Sequence, residues 1–182
     1  MRMGGGRKRM AKDEQEVIRD RINILRRADI FYDLTEAQLE MVASIASEAE
    51  YGMGEVIFQE NSAGDELYVI ASGEVEIQVD PSLIKPGGKG SDRPVTIATL
   101  RSGQTFGEVA LVDQGLRTAS ARSASRQTRL LVIPRSRLIT LCDNYPELGY
   151  RLMRNIAADL AFKIRGTDLL IREQLLWRPR YR

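Results

Sequence analysis

The chain has 182 residues, with 27 Lys and Arg against 25 Asp and Glu and a formal net charge of +2. That length suits one domain with extra helices, and the near-neutral balance gives no overall basicity to point at nucleic acid. Histidine is absent and Cys142 is the lone cysteine, which excludes Ser-His-Asp and Cys-His catalysis, nearly all zinc sets and any intrachain disulfide.

Residues 1–11 carry Gly4-Gly5-Gly6 with Arg2, Arg7, Lys8 and Arg9 and read as a disordered basic tail. Residues 178–182, with Arg178, Arg180 and Arg182, read as a second basic tail. Between them, residues 12–177 read as one domain, with helices over 12–50, a β-roll over 51–134 and helices over 135–177. From Lys12 to Arg27, Val17, Ile18, Ile22 and Leu25 recur at helical spacing among charges. Thr35 reads as the cap of a second helix whose apolar stripe is Leu39, Val42, Ala43 and Ile45.

From Gly54 to Pro134 the pattern changes to short alternating segments rich in Val, Ile and Thr, bounded by glycine turns. This is the signature of a small antiparallel roll or barrel. It predicts strands over Val56–Gln59, Glu66–Ala71, Val75–Val79, Val95–Leu100, Ala119–Ala124 and Arg129–Ile133. Asp80 to Arg93, rich in Pro, Gly and Lys, reads as a surface loop tolerated within the domain. A short helix is expected near Ser136–Cys142. A long one opens around Pro146, an acceptable first-turn residue, and runs to about Trp177. Its apolar row is Met153, Ile156, Leu160, Ile164, Thr167, Ile171 and Leu175. The row is long enough to pair with its copy, so a homodimer through this helix is expected. Gly166 lies inside this helix and reads as a close crossing, a bend or a tolerated glycine. Neither a signal-peptide pattern nor a stretch of about 18 apolar residues is present, so no membrane association is expected and a reducing cytoplasm fits best.

The densest chemistry lies in Phe106-Gly107-Glu108-Val109-Ala110-Leu111, followed by Arg117-Thr118-Ala119-Ser120. Gly107 lets a ligand approach the backbone, and the amides after it can form a small nest of donors for an anion. Arg117 supplies a planar fork of charged donors suited to phosphate oxygens, and Glu108 is a natural acceptor for a ribose hydroxyl. One cation, one carboxylate and exposed amides together suggest a nucleotide. Isolated, each would read as an ordinary surface residue.

This string resembles the phosphate-binding cassette of the cyclic nucleotide-binding domain family, which includes the catabolite activator protein and protein kinase A regulatory subunits. The family form is F-G-E-hydrophobic-A-L, a loop, then P-R-T/A-A-S/T; Leu116 stands here in place of the usual proline. The resemblance extends to Gly54-Glu55-Val56-Ile57-Phe58, Gly64-Asp65-Glu66-Leu67-Tyr68-Val69-Ile70 and Ser72-Gly73-Glu74-Val75. It implies an eight-stranded antiparallel roll of the jelly-roll kind, mainly β, with flanking helices.

By the same resemblance, Glu108 takes the ribose 2′-hydroxyl, and Phe106, Gly107, Val109 and Ala110 belong to the cassette. Arg117 grips the cyclic phosphate, with Thr118 and Ala119 adding phosphate or base contacts. Thr118 is the residue that reaches a guanine 2-amino group in members that accept cyclic GMP. Ile77 and Ile97 face inward by strand alternation and either wall the base or pack the core. Alignment with the dimer helix of the bacterial regulators sets Thr167, with Asp168 beside it, near an adenine 6-amino group, and pairs Lys163 with Glu108. The implied function is a non-catalytic sensor for cyclic AMP, or alternatively cyclic GMP, that acts by ligand-induced movement of the C-terminal helix on an unidentified protein partner. Neither a metal or other cofactor nor a helix-turn-helix is expected, and sequence-specific DNA binding is therefore not expected either. The rival is an interaction protein whose degenerate cassette is filled by side chains.

Overall fold

The structure, a computed structural model, describes residues 5–81, 94–113 and 115–176. Residues 82–93 of the expected loop and all of the 178–182 tail lie outside them. The helices are α1 (Gly5–Leu25), α2 (Glu36–Ile45), α3 (Glu108–Asp113), α4 (Arg135–Asn144) and α5 (Pro146–Leu176), with a 3-10 turn at Asp29–Phe31. The strands are β1 (Ser47–Gly52), β2 (Val56–Phe58), β3 (Glu66–Ser72), β4 (Glu74–Val79), β5 (Val95–Arg101), β6 (Thr105–Phe106), β7 (Ser120–Ser123) and β8 (Gln127–Pro134).

These strands form two four-stranded antiparallel sheets, ordered β1-β8-β3-β6 and β2-β7-β4-β5. The mainly β roll with flanking helices is therefore the observed architecture. β3 explains how the two layers join. Its residues Leu67 to Ala71 are all buried, because Tyr68 and Ile70 point into the roll while Leu67, Val69 and Ala71 point at the helices. A strand covered on both faces reads as an unbroken apolar run instead of an alternation. β8 repeats the arrangement, with Leu130 inside the roll and Leu131 and Ile133 under the helices.

α2 begins where Thr35 predicts. Its side chain accepts from the Gln38 amide while the Gln38 side chain accepts from the Thr35 amide, a complete capping box. α1 departs from expectation, since it starts at Gly5, inside the stretch read as a disordered tail. Arg7 to Lys12 are nearly all good helix formers, which lets the helix extend past the glycines. β1 is also new: it lies in a segment assigned to helices, because Ser-Glu-Ala-Glu-Tyr-Gly has little β-propensity of its own and is fixed by pairing along β8.

α4 and α5 match the two C-terminal helices expected. Leu148, Leu152 and Ile156 fix the first half of α5 in the helical core. Asn155 Nδ2 donates to the carbonyls of Ile30 and Tyr32, at 3.2 and 2.6 Å, tying α5 to the 3-10 turn. Cys142 is half-buried, and burial together with Asp143 pushes its thiol pKa up, as befits an unreactive packing residue. No helix among the described residues is long and apolar enough to cross a membrane.

Candidate functional site

A cavity of about 550 Å³ opens between the β4–β5 wall, the segment from Phe106 to Val109, the strand entry at Leu116–Ala119 and one face of α5. Its polar end is organised by Arg117. The Arg117 backbone is clamped to a turn, donating to the Ser62 carbonyl at 2.8 Å and accepting from the Asn61 amide at 2.8 Å. The side chain then runs inward and is only 3% exposed. A charge so deep must have fixed partners. Nη1 donates to the Gly107 carbonyl at 3.2 Å, and Nη2 donates to the Glu66 carbonyl at 2.9 Å and the Glu66 carboxylate at 3.3 Å. The Phe58 ring lies over the guanidinium, with its centroid 4.2 Å from Cζ, a cation–π contact.

Two glycines make this placement possible. A Cβ on Gly64 would stand 2.3 Å from Arg117 Nε. Gly107 has a φ of 85°, and a Cβ there would stand 2.6 Å from Arg117 Nη1 and 2.9 Å from the Glu66 carbonyl oxygen. The fork expected from the sequence is thus partly committed to the protein. Arg117 Nε is buried and has no hydrogen-bond partner among the described residues.

Glu108 opens α3 and is 5% exposed. Its Oε1 accepts from Lys163 Nζ at 3.0 Å, and its Oε2 is buried with no partner among the described residues. Lys163 also donates to the Thr105 carbonyl at 3.2 Å and meets Asp159 at 2.8 Å. Burial alone would lower the Lys163 pKa, but Glu108 and Asp159 outweigh it and hold the ammonium above its ordinary value. Lys163 is thus the charged link from α5 to the cassette.

Most of the sequence-predicted residues meet at this cavity. Phe106, Gly107, Glu108, Val109, Arg117, Thr118, Ala119, Ile77, Ile97, Lys163 and Thr167 all line it. Ile77 is half-buried, whereas Ile97 is more than half exposed and so is not core packing. Ala110 lies within α3, with its side chain outside the described ones. Asp168 is exposed and is not among the lining residues. Helix geometry explains this: Lys163, Gly166 and Thr167 are three and four residues apart and share a face, and the next residue turns about 100° away. Sequence reasoning missed Phe58, Glu66 and Leu100. Phe58 and Leu100 line the cavity and Glu66 holds Arg117, yet each sits in an ordinary strand pattern with no sign of the cross-roll contact. Glu66 also faces Tyr68, whose hydroxyl is pushed up to about 12 mainly by burial and then by this carboxylate.

The cyclic nucleotide-binding domain model matches residues 48–145, more than half of the chain. The chain belongs to the cyclic nucleotide-binding domain family. It is 33% identical over 140 residues to the cyclic AMP receptor protein of Thermus thermophilus, covering 77% of this chain and 59% of that protein. It is 28% identical over 138 residues to human cGMP-dependent protein kinase 2, covering 76% of this chain and 16% of the kinase. Among solved structures, a putative cyclic nucleotide-binding protein from Geobacter metallireducens superimposes with a TM-score of 0.63 at 31% identity, covering 77% of this chain and 95% of that one. The chain spans less than two thirds of the length of these curated relatives. The matched span contains the Gly107–Arg117 wall described above, and α5, whose face closes the cavity, begins just after it.

Proposed function

We propose that this chain is a non-catalytic cyclic nucleotide sensor, binding cyclic AMP first and cyclic GMP as the alternative. The observation that carries the reading is a pair of buried charged groups, Arg117 and Glu108, on one wall of a mostly apolar cavity. Each keeps one buried polar atom without a partner among the described residues, Nε and Oε2. Such atoms are costly unless a ligand completes them, and a phosphate joined to a ribose hydroxyl supplies one acceptor and one donor. The cavity also argues against a cassette filled by its own side chains.

Lys163 ties α5 to Glu108, so a ligand that engages Glu108 also biases the position of α5, and the size of that bias equals the difference in ligand affinity between the two positions. The apolar row of α5 continues past the helical core to Ile164, which is 62% exposed. This face supports a homodimer through α5, with the output passing to a protein partner. Isothermal titration with cyclic AMP, cyclic GMP and 2′-deoxy cyclic AMP tests the reading. Saturable binding of a cyclic nucleotide, weakened when the 2′-hydroxyl is missing, is expected; no binding by any of the three defeats it.

A further inference from the structure

Three residues of α5 face the cavity: Lys163, Gly166 and Thr167. Gly166 is the unexpected one. A glycine inside a helix is destabilising relative to alanine, so its presence asks for a local reason. It does not end the helix, because α5 runs on through it from Pro146 to Leu176. It does not permit a close crossing within the chain either, since a Cβ at 166 would meet nothing within 4 Å. Within this chain, what it adjoins is the cavity that it lines.

The polar end fixes which part of a nucleotide lies where. With phosphate and ribose held at Arg117 and Glu108, the base extends toward the apolar wall of Ile77, Ala98 and Leu100, under α5. Any side chain at 166 would project into that space, because it shares the face of Lys163 and Thr167. We infer that Gly166 is a specificity-determining residue of this site: by withholding a side chain, it leaves room between α5 and the β4–β5 wall for a base that carries an added apolar group. The inference rests on the cyclic nucleotide reading above. It also makes the site permissive at the base while it stays strict at phosphate and ribose.

Competition titrations with cyclic AMP, an N6-benzyl analogue and an 8-arylthio analogue test it on the intact chain. The two analogues carry the added group on the six-membered and on the five-membered ring of the purine, and so probe two different directions out from the base. Wild type is expected to bind one of them within about threefold of cyclic AMP, and Gly166→Leu to weaken that analogue at least about tenfold more than it weakens cyclic AMP. Gly166→Ala, which should fold at least as stably as wild type, is expected to fall between them. Rejection of both analogues by wild type, or an equal loss for cyclic AMP and its analogues in Gly166→Leu, overturns the inference. Failure of wild type to bind cyclic AMP or cyclic GMP overturns the underlying reading instead, and this inference with it.

Discussion

The two ends of the cavity are built on opposite principles. At the Arg117 end, backbone and side chain are both tied: the chain to Asn61 and Ser62, the guanidinium to Gly107 and Glu66. Two glycines are packed so closely that neither could carry a methyl group without moving the arginine. At the other end Ile97 is half open to solvent, a Cβ on Gly166 would meet nothing within 4 Å, and α5 is joined to Glu108 by Lys163. A buried charge needs a complete set of partners at fixed distances, whereas apolar surface only needs covering. The first end can therefore recognise one chemical group with little movement, and the second can respond to whatever lies beneath the helix.

The sharpest break in this comparison is Arg117→Ala. It removes the cation that organises the tied end and leaves the Gly107 and Glu66 carbonyls without their donor, so cyclic nucleotide binding should weaken by about 3–5 kcal/mol, below detection in a titration. Chemical denaturation should show a loss of stability as well, because buried acceptors lose their partner. Binding within a few-fold of wild type would move the phosphate site elsewhere. Next comes Gly64→Ala. Its new methyl group collides with Nε at 2.3 Å and must push the arginine off its Gly107 and Glu66 partners, so stability should fall by about 1–3 kcal/mol, the usual range for overpacking, and cyclic nucleotide binding should weaken with it. The same methyl group at Gly166 should leave cyclic AMP binding nearly unchanged. Equal effects at the two glycines would erase the distinction between the ends.

A smaller effect separates the two purines. The Thr167 hydroxyl donates to the Lys163 carbonyl at 3.0 Å, which commits its proton and leaves the oxygen as an acceptor. An acceptor under α5 suits the 6-amino group of adenine and not the 6-oxo group of guanine. Thr167→Ala should therefore cost cyclic AMP about 1 kcal/mol and spare cyclic GMP, while Thr118→Ala should do the reverse through the guanine 2-amino group. Competition titrations on both variants read the difference. Equal losses for both nucleotides would mean that these threonines support pocket shape only.

Much of this site was legible because its signals are local. Phe106 to Leu111 and Arg117 to Ser120 lie within fifteen residues of one another, and a motif at that spacing carries its chemistry in sequence. The roll was legible for a similar reason, since alternation over four to eight residues is a property of each strand alone. β1 and the two-residue β6 were not, because their conformation comes from pairing with β8 and β3. The partners of Arg117 were missed on the same grounds: Glu66 stands 51 residues away and Phe58 lies on another strand. Asp168 stands off the cavity because proximity in sequence to Thr167 is not proximity on a helix face. The long apolar row of α5 reads as one stripe, yet Ile156 is buried in this chain's core and Ile164 is exposed. Periodicity identifies a face but cannot say what covers it.

The smallest expected effect tests the link between the two ends. Lys163 has its pKa raised in the folded chain, since Glu108 and Asp159 outweigh the burial that would lower it. A raised value means that the native state holds this proton more tightly than the unfolded chain. Its contribution to stability is then fully present below the unfolded pKa of about 10.4 and is lost as the pH rises through the higher folded value. The side chain is 35% exposed, so solvent screening limits the contribution to less than about 1 kcal/mol. Denaturation of wild type and Lys163→Met should therefore differ by a constant amount from pH 7 to about pH 10 and converge in more alkaline solution. Tyr68, pushed up to about 12, titrates alike in both proteins and cancels in the difference. A difference that does not shrink above pH 10 would mean that Lys163 steadies α5 by the packing of its stem over the cavity, and that the charge pair with Glu108 does not couple the helix to the cassette.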